Sequence, residues 1–177
     1  MDTRKIEKGV RMILEGISED PDRDGLKKTP QRFAKMCEEI FGGMGQESGL
    51  DIGFAEDVSA GDIITIKDIT FHSMCEHHLL PFFGKVDIVY APQNNRVAGF
   101  SDIARIVDIY AQRLQLQERL GRQIADEMMR SLEPAGAMVR ISATQLCASM
   151  RGSHKKDMMT ITEVIRGKLP DHWAKRL

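Results

Sequence analysis

The hydrophobic pattern of the chain changes between a helical period and an alternating one, and the order of these changes restricts the fold more than any other feature. Apolar residues recur at helical spacing over residues 3–17, which predicts an amphipathic helix. Residues 62–71 alternate and are rich in β-branched side chains, which predicts a strand. Helices come first, followed by a strand pair, a helix pair and a second strand pair. This order predicts an α+β fold, an antiparallel sheet backed by helices with an N-terminal helical segment.

The other element boundaries are predicted from capping and turn residues. Thr29-Pro30 is typical of an N-cap followed by proline at the first helical position, and this second helix should end near Gly42-Gly43. Ser101 is the predicted cap of a later helix. Residues 44–60 should form an exposed loop, and the polar tail after Pro170 should be loosely held. The remaining predicted elements are helices over about 102–113 and 115–131, and strands over about 85–90, 138–147 and 160–165.

Length and composition predict one soluble globular domain. The chain has 177 residues, of which 42% are apolar and 29% are charged, which is enough for a single core. We expect the N-terminal helices, over about residues 3–42, and a core over about 60–167 to belong to this one domain of residues 1–177. Because so small a sheet has open edges and a face that needs cover, a homo-oligomer is expected on physical grounds.

Charge and cysteine usage argue against several classes of protein. The formal net charge is −1, so neither nucleic acid nor an acidic membrane surface is an implied partner. No apolar run approaches the ~18 residues of a membrane span, and charges interrupt the N-terminal apolar stretches, unlike in a signal peptide. Three cysteines do not suggest a disulfide framework, and a metal or thiol role is expected instead. We therefore expect a cytoplasmic protein.

The densest group of potential metal ligands is Cys75-Glu76-His77-His78. Cys75 and His78 are spaced so that one turn can direct both side chains at a single ion, and Cys147 follows on a later predicted strand. Thiolate and imidazole together suit Zn²⁺, and three protein ligands leave a fourth position for water, as in catalytic zinc sites. The same residues also fit a buried thiol beside surface histidines. Cys37, on the apolar face of a predicted helix, fits a plain core role.

Four segments resemble the motifs of the GTP cyclohydrolase I family, in order and at family spacing over about residues 5–167. They are Ser73-Met74-Cys75-Glu76-His77-His78-Leu79-Leu80-Pro81-Phe82-Phe83-Gly84, residues 105–120, Cys147-Ala148-Ser149-Met150-Arg151-Gly152 and residues 29–36. The resemblance implies the tunnelling fold, assembled as a decamer with sites between subunits. It also implies a hydrolase acting on cyclic amidines, which opens the imidazole ring of GTP and yields formate and 7,8-dihydroneopterin triphosphate, the first step of pterin and tetrahydrofolate biosynthesis.

The same resemblance implies roles for individual residues. His77 resembles the catalytic histidine, and an imidazole there can move protons near neutral pH. Glu118 matches the glutamate that holds guanine, and Gln117 matches its neighbour in the site. Outside the motif, both would be solvated residues of a helix and the arginines would be surface charges. The implied zinc ligands are Cys75, His78 and Cys147, and the residues implied to hold the triphosphate are Ser101, Arg105, Arg151 and Arg32.

The chain departs from the family pattern at three positions. Gln145 stands where the family has a catalytic histidine, Ser142 where it has an acid, and Asp102 where it has a lysine. Residues two apart share a face of a strand, so Gln145 should point with Cys147 toward the metal. Its amide can form hydrogen bonds there but cannot exchange a proton at neutral pH. Asp102 suits the helix dipole of a first turn, but it competes with a phosphate for that helix end.

These departures leave three functions open. The chain is an ordinary GTP cyclohydrolase I, or a diverged paralogue that stops at the formamidopyrimidine stage or uses a guanine nucleotide with fewer phosphates. The alternative from another class is a non-catalytic, zinc-bearing binding or regulatory oligomer. The retained zinc-, guanine- and phosphate-binding residues favour an enzyme. Metal content together with formate release from GTP would discriminate between enzyme and binding protein.

Overall fold

The structure, a computed structural model, describes residues 1–47, 52–54, 58, 61–152, 154, 155 and 157–170. The chain divides into two compact units, Met1–Gly42 and Gly43–Leu177. No helix in the described part of the chain is long and apolar enough to cross a membrane. The tail after Pro170, which was predicted to be loose, lies outside the described residues, and so does much of the loop predicted over residues 44–60. The loop prediction is wrong for Ile52–Phe54, which form a strand because they pair with residues 96–98.

The N-terminal unit contains two helices, α1 (Thr3–Gly16) and α2 (Thr29–Ile40). Helix α1 begins after Asp2, whose side chain accepts a hydrogen bond from the backbone N–H of Lys5. The predicted cap of α2 is wrong by one residue, because Thr29 is already helical and Lys28 holds the cap position. Cys37 is buried, as its core position predicted, and this burial raises the pKa of its thiol.

The second unit is built on a five-stranded sheet. Its strands and those of a small two-stranded sheet are β1 (Ile52–Phe54), β2 (Ile64–Cys75), β3 (Pro81–Ala91), β4 (Arg96–Ala98), β5 (Leu114–Gln115), β6 (Gly136–Gln145) and β7 (Met159–Gly167). The large sheet has the order β5–β2–β3–β6–β7, while β1 pairs with β4. All neighbours in the large sheet are antiparallel except the short β5, which runs parallel to β2. The predicted antiparallel sheet is therefore confirmed.

Helices α3 (Phe100–Ala111) and α4 (Gln117–Leu132) cover one face of this sheet, and a short helix α5 (Leu146–Ser149) follows β6. Alternate residues of the strands face these helices because side chains alternate along a strand. The resulting core includes Phe82, Val86 and Ile88 of β3, Ile103 and Ile106 of α3, and Leu120 and Ile124 of α4. The opposite face of β7 exposes Met159, Ile161 and Ile165. The sheet is thus backed by helices on one side, as predicted.

Two predicted boundaries near the candidate site are wrong. Ser101 does not cap α3, because the helix already begins at Phe100 and Gly99 occupies the cap position. The strand predicted over residues 138–147 ends at Gln145, so Cys147 lies in α5. Gln145 and Cys147 therefore do not share a strand face, since the backbone changes from strand to helix between them.

Candidate metal-dependent active site

Three potential metal ligands converge at one end of the large sheet. Cys75 ends β2, His78 lies in the turn that leads to β3, and Cys147 lies in α5. One ligand atom from each residue lies within 4.8 Å of the other two. The turn is closed by a hydrogen bond from the backbone N–H of Leu79 to the carbonyl of Cys75 at 2.9 Å. The fold thus joins a local pair of ligands to a third that is distant in sequence, and the group could hold a metal ion.

The chemistry of this group suits a cation with an affinity for sulfur. Two thiols and one imidazole form a donor set that fits Zn²⁺. The pKa of the Cys147 thiol is raised above its ordinary value, mainly by burial and then by the charge and hydrogen bond of Cys75. A backbone hydrogen bond and the charge of Arg151 offset part of this rise. A metal ion binds thiolates, so binding would release protons and should weaken as the pH falls.

A cavity of about 260 Å³ is lined by two of the three potential ligands, Cys75 and Cys147. Its lining includes six residues that the sequence analysis had proposed for the site: Cys75, His77, Gln117, Glu118, Gln145 and Cys147. They come from the turn after β2, the start of α4, the end of β6 and α5, so the fold brings three separate motifs together. The lining also includes Gln115, which was not among the predicted site residues although it precedes Gln117 by two positions.

Gln145 reaches the cavity through a contact that the sequence did not indicate. Its Nε2 donates a hydrogen bond to Oε1 of Gln117 at 2.7 Å. Gln117 is 3% exposed, and its own Nε2 donates to the carbonyl oxygens of Ile141 at 3.1 Å and Thr160 at 3.0 Å. The side chain of Gln117 is therefore held by strands β6 and β7, and it in turn holds Gln145.

An ion pair links the metal-binding turn to α4. Arg119 donates two hydrogen bonds to the carboxylate of Glu76, at 2.5 and 2.9 Å. These hydrogen bonds hold the pKa of Glu76 below its ordinary value. Because Glu76 follows Cys75 and Arg119 follows Glu118, this ion pair joins the turn that carries two potential metal ligands to the predicted guanine-binding residue. The sequence pattern did not indicate this ion pair, although each partner stands next to a predicted site residue.

The predicted phosphate-binding residues do not form part of the cavity lining in the described part of the chain. Nη1 of Arg151 lies 2.6 Å from Nε2 of His78, so this arginine contacts one of the three potential metal ligands. Arg105 forms an ion pair with Asp102 at 3.0 Å, and Ser101 is exposed in the same helical turn as Asp102. Arg32 belongs to the N-terminal unit, and its role stays a prediction.

The sheet and its helices define the class of protein. The structure of the archaeosine synthase QueF-Like in the apo form is similar to this chain with a TM-score of 0.52 at 16% sequence identity. The match covers 63% of this chain and 100% of that chain. A likeness at this identity shows the fold alone, and the fold is the tunnelling fold, as predicted.

Sequence relatives then identify the family. The family model described as GTP cyclohydrolase I matches residues 6–176. GTP cyclohydrolase 1 of Finegoldia magna is 50% identical, with 94% of this chain and 90% of the relative covered. The same-named protein of Desulforamulus reducens is 47% identical, with 99% and 94% covered. The chain belongs to the GTP cyclohydrolase I family and is a hydrolase of that type, which confirms the resemblance.

Proposed function

We propose that this protein catalyses the zinc-dependent hydrolytic opening of the guanine imidazole ring of GTP, giving formate and 7,8-dihydroneopterin triphosphate. The observation that carries the proposal is a cavity lined by His77, Glu118 and the two cysteines of the Cys–His–Cys group. The relatives named GTP cyclohydrolase 1 support the same reaction, because they match almost the whole chain.

The proposed cofactor is one zinc ion held by Cys75, His78 and Cys147. The donor set supports this choice, and three protein ligands leave a fourth position, as in catalytic zinc sites. When bound, zinc supplies a Lewis acid and lowers the pKa of a coordinated water toward ~7. The ion pair between Glu76 and Arg119 holds the turn that carries two of the ligands.

His77 and Glu118 are the proposed acid–base and guanine-binding residues. His77 follows the metal-binding cysteine by two positions and lines the cavity, where an imidazole can give and recover a proton near neutral pH. Glu118 lies in the first turn of α4 and lines the cavity. Its two oxygens can accept hydrogen bonds from the ring N–H and the exocyclic amine of guanine together. The base would thus be oriented with its imidazole ring toward the metal.

The phosphates are proposed to lie outside this cavity. A volume of about 260 Å³ is below the range of roughly 300–1,000 Å³ that is usual for ligand sites, so it suits the base better than the whole nucleotide. Ser101, Arg105, Arg151 and Arg32 are the proposed phosphate-binding residues, since the guanidinium fork matches phosphate oxygens. They are not among the residues that line the cavity in the described part of the chain.

We also propose a homo-oligomer, a decamer by family resemblance, in the cytoplasm. The exposed apolar side chains of Met159, Ile161 and Ile165 on the uncovered face of β7 support assembly, because such surfaces gain stability when covered. The edge strand β7 also has one side unpaired within the described sheet, and a second copy could pair with it. Light scattering of the purified protein would test the assembly, and a monomer would contradict it.

Product analysis tests the proposed reaction. The zinc-loaded protein is incubated separately with GTP, GDP, GMP and guanosine, and the products are identified by mass. We expect one formate and one 7,8-dihydroneopterin triphosphate from each GTP. Glu118→Gln should raise the Michaelis constant, because an amide cannot accept both guanine hydrogen bonds, whereas Glu38→Gln on exposed helix α2 should change nothing.

A second candidate function is favoured by two local observations. Gln145 lines the cavity in place of a proton-transferring histidine, and Asp102 already forms an ion pair with the phosphate-binding residue Arg105. These features support a diverged enzyme that stops at the formamidopyrimidine stage or prefers fewer phosphates. Accumulation of a ring-opened formamide, or faster turnover of GMP than of GTP, would identify it. Zinc binding without turnover of any guanine nucleotide would indicate the binding protein instead.

A further inference from the structure

The hydrogen-bonding direction of the Gln117 amide is set by its surroundings. Its Nε2 lies 3.1 Å from the carbonyl oxygen of Ile141 and 3.0 Å from that of Thr160. Both neighbours are acceptors only, so the reversed amide would place its oxygen against two carbonyl oxygens. Nε2 also approaches Oγ1 of Thr162 at 3.3 Å. The donor end of Gln117 is therefore used within the protein, and its Oε1 is left to accept.

This arrangement determines the direction of the Gln145 amide as well. Nε2 of Gln145 donates to Oε1 of Gln117 at 2.7 Å, which leaves Oε1 of Gln145 as the free end of the group. This oxygen takes no part in the hydrogen bond to Gln117. Because Gln145 lines the cavity beside Cys147, the free acceptor lies at the proposed substrate site.

We propose that Gln117 is a positioning residue, which holds Gln145 so that Oε1 of Gln145 serves as a fixed hydrogen-bond acceptor for the guanine nucleotide. The proposal rests on the proposed function of the cavity. The N–H groups of Gln117 are used by β6 and β7, so its amide nitrogen is not available to donate a hydrogen bond to guanine. Gln145 directs one of its two N–H donors to Gln117 and has an acceptor in Oε1, so its amide can form hydrogen bonds at both ends but cannot transfer a proton.

Double-mutant analysis tests whether Gln117 acts through Gln145. Methionine is close to glutamine in length and cannot form these hydrogen bonds. We expect Gln117→Met and Gln145→Met each to lower kcat/KM for GTP by about 3- to 10-fold. Each should also raise the dissociation constant for GTP, measured within the first turnover, by about 3- to 10-fold. The double variant should be no worse than Gln145→Met alone. Gln93→Met, an exposed residue elsewhere, is the matched control.

Equal losses from Gln117→Met in both backgrounds would overturn the proposal, because a purely structural role of Gln117 does not depend on residue 145. Gln145→Glu provides a second variant that does not alter the buried residue. It retains an acceptor toward the cavity but places an oxygen against Oε1 of Gln117, so affinity for GTP should fall as in Gln145→Met. Parental affinity in Gln145→Glu would show that Gln117 does not orient this side chain.

Two further measurements separate this inference from the proposed function. Zinc content should equal that of the parent in all four of these variants, since none of them removes a proposed ligand. If the parent does not convert GTP, the proposed reaction is wrong, and the same double-mutant comparison is made from the dissociation constants for GTP. Non-additive changes in the binding free energy of GTP would support the positioning role of Gln117, and additive changes would overturn it.

Discussion

Replacing Asp102 by lysine should lower the Michaelis constant for GTP about eightfold. Oδ1 of Asp102 lies 3.0 Å from Nη2 of Arg105, so a phosphate on the other side of that guanidinium would lie ~7 Å from the carboxylate. At that distance two unit charges in water interact by about 0.6 kcal/mol, and physiological salt reduces this to about 0.25 kcal/mol. With two or three phosphate charges nearby, removing the negative charge of Asp102 strengthens GTP binding by about 0.6 kcal/mol. Replacing it with the positive charge of lysine strengthens binding by about 1.2 kcal/mol.

The assay compares Michaelis constants for GTP and guanosine. Asp102→Asn should lower the constant for GTP about threefold and Asp102→Lys about eightfold, with guanosine unchanged in both. Asp108→Lys makes the same charge change about 9 Å further along α3 and should have a smaller effect. Raising the salt concentration should reduce the gain. An equal change for GTP and guanosine would refute the reasoning, because residue 102 would then not face the phosphates.

Three other substitutions probe the metal, the chemistry and the fold. Cys147→Ala should abolish zinc binding and activity while Cys37→Ala retains the metal, and full zinc occupancy of the Cys147 variant by mass spectrometry would contradict the ligand assignment. Gln145→His should speed formate release, since a positioned general acid typically raises a rate by ~10²–10⁴-fold. Rapid, stoichiometric formation of 7,8-dihydroneopterin triphosphate by the unmodified protein would refute a slow formate-release step. Leu120→Ala, in the fully buried face of α4, should lower the free energy of unfolding in urea by about 2–5 kcal/mol, and a loss below 1 kcal/mol would show that the core does not hold α4.

Periodic segments could be predicted from the sequence because their signal is local. The helix predicted over residues 3–17 is found at Thr3–Gly16, and the strand predicted over 160–165 lies within Met159–Gly167. A run of alternating or helically spaced apolar residues buries one face in either case, whatever its partner is. The ends of elements were less accurate. Strand β2 continues to Cys75, past the predicted end at residue 71, because β3 provides pairing partners as far as Met74.

The sequence by itself determined which residue types are available for chemistry. The spacing of Cys75 and His78 places both ligands in one turn, and the motifs identify Cys147 as the third member of the group. The close approach of Asp102 and Arg105 is also local, since residues three apart are neighbours on a helix. Each of these contacts depends on the backbone within a few residues, or on a motif that specifies the residue directly.

Only the tertiary structure decided how those residues are held. Gln145 meets Gln117 across 28 positions of sequence, and Arg119 meets Glu76 across 43. These contacts depend on the register of β6 against its neighbours and on the packing of α4, to which a local hydrophobic period is insensitive. The sequence could therefore name Gln145 as a departure in the site, but the orientation of its amide follows from strands β6 and β7, which hold Gln117 in place.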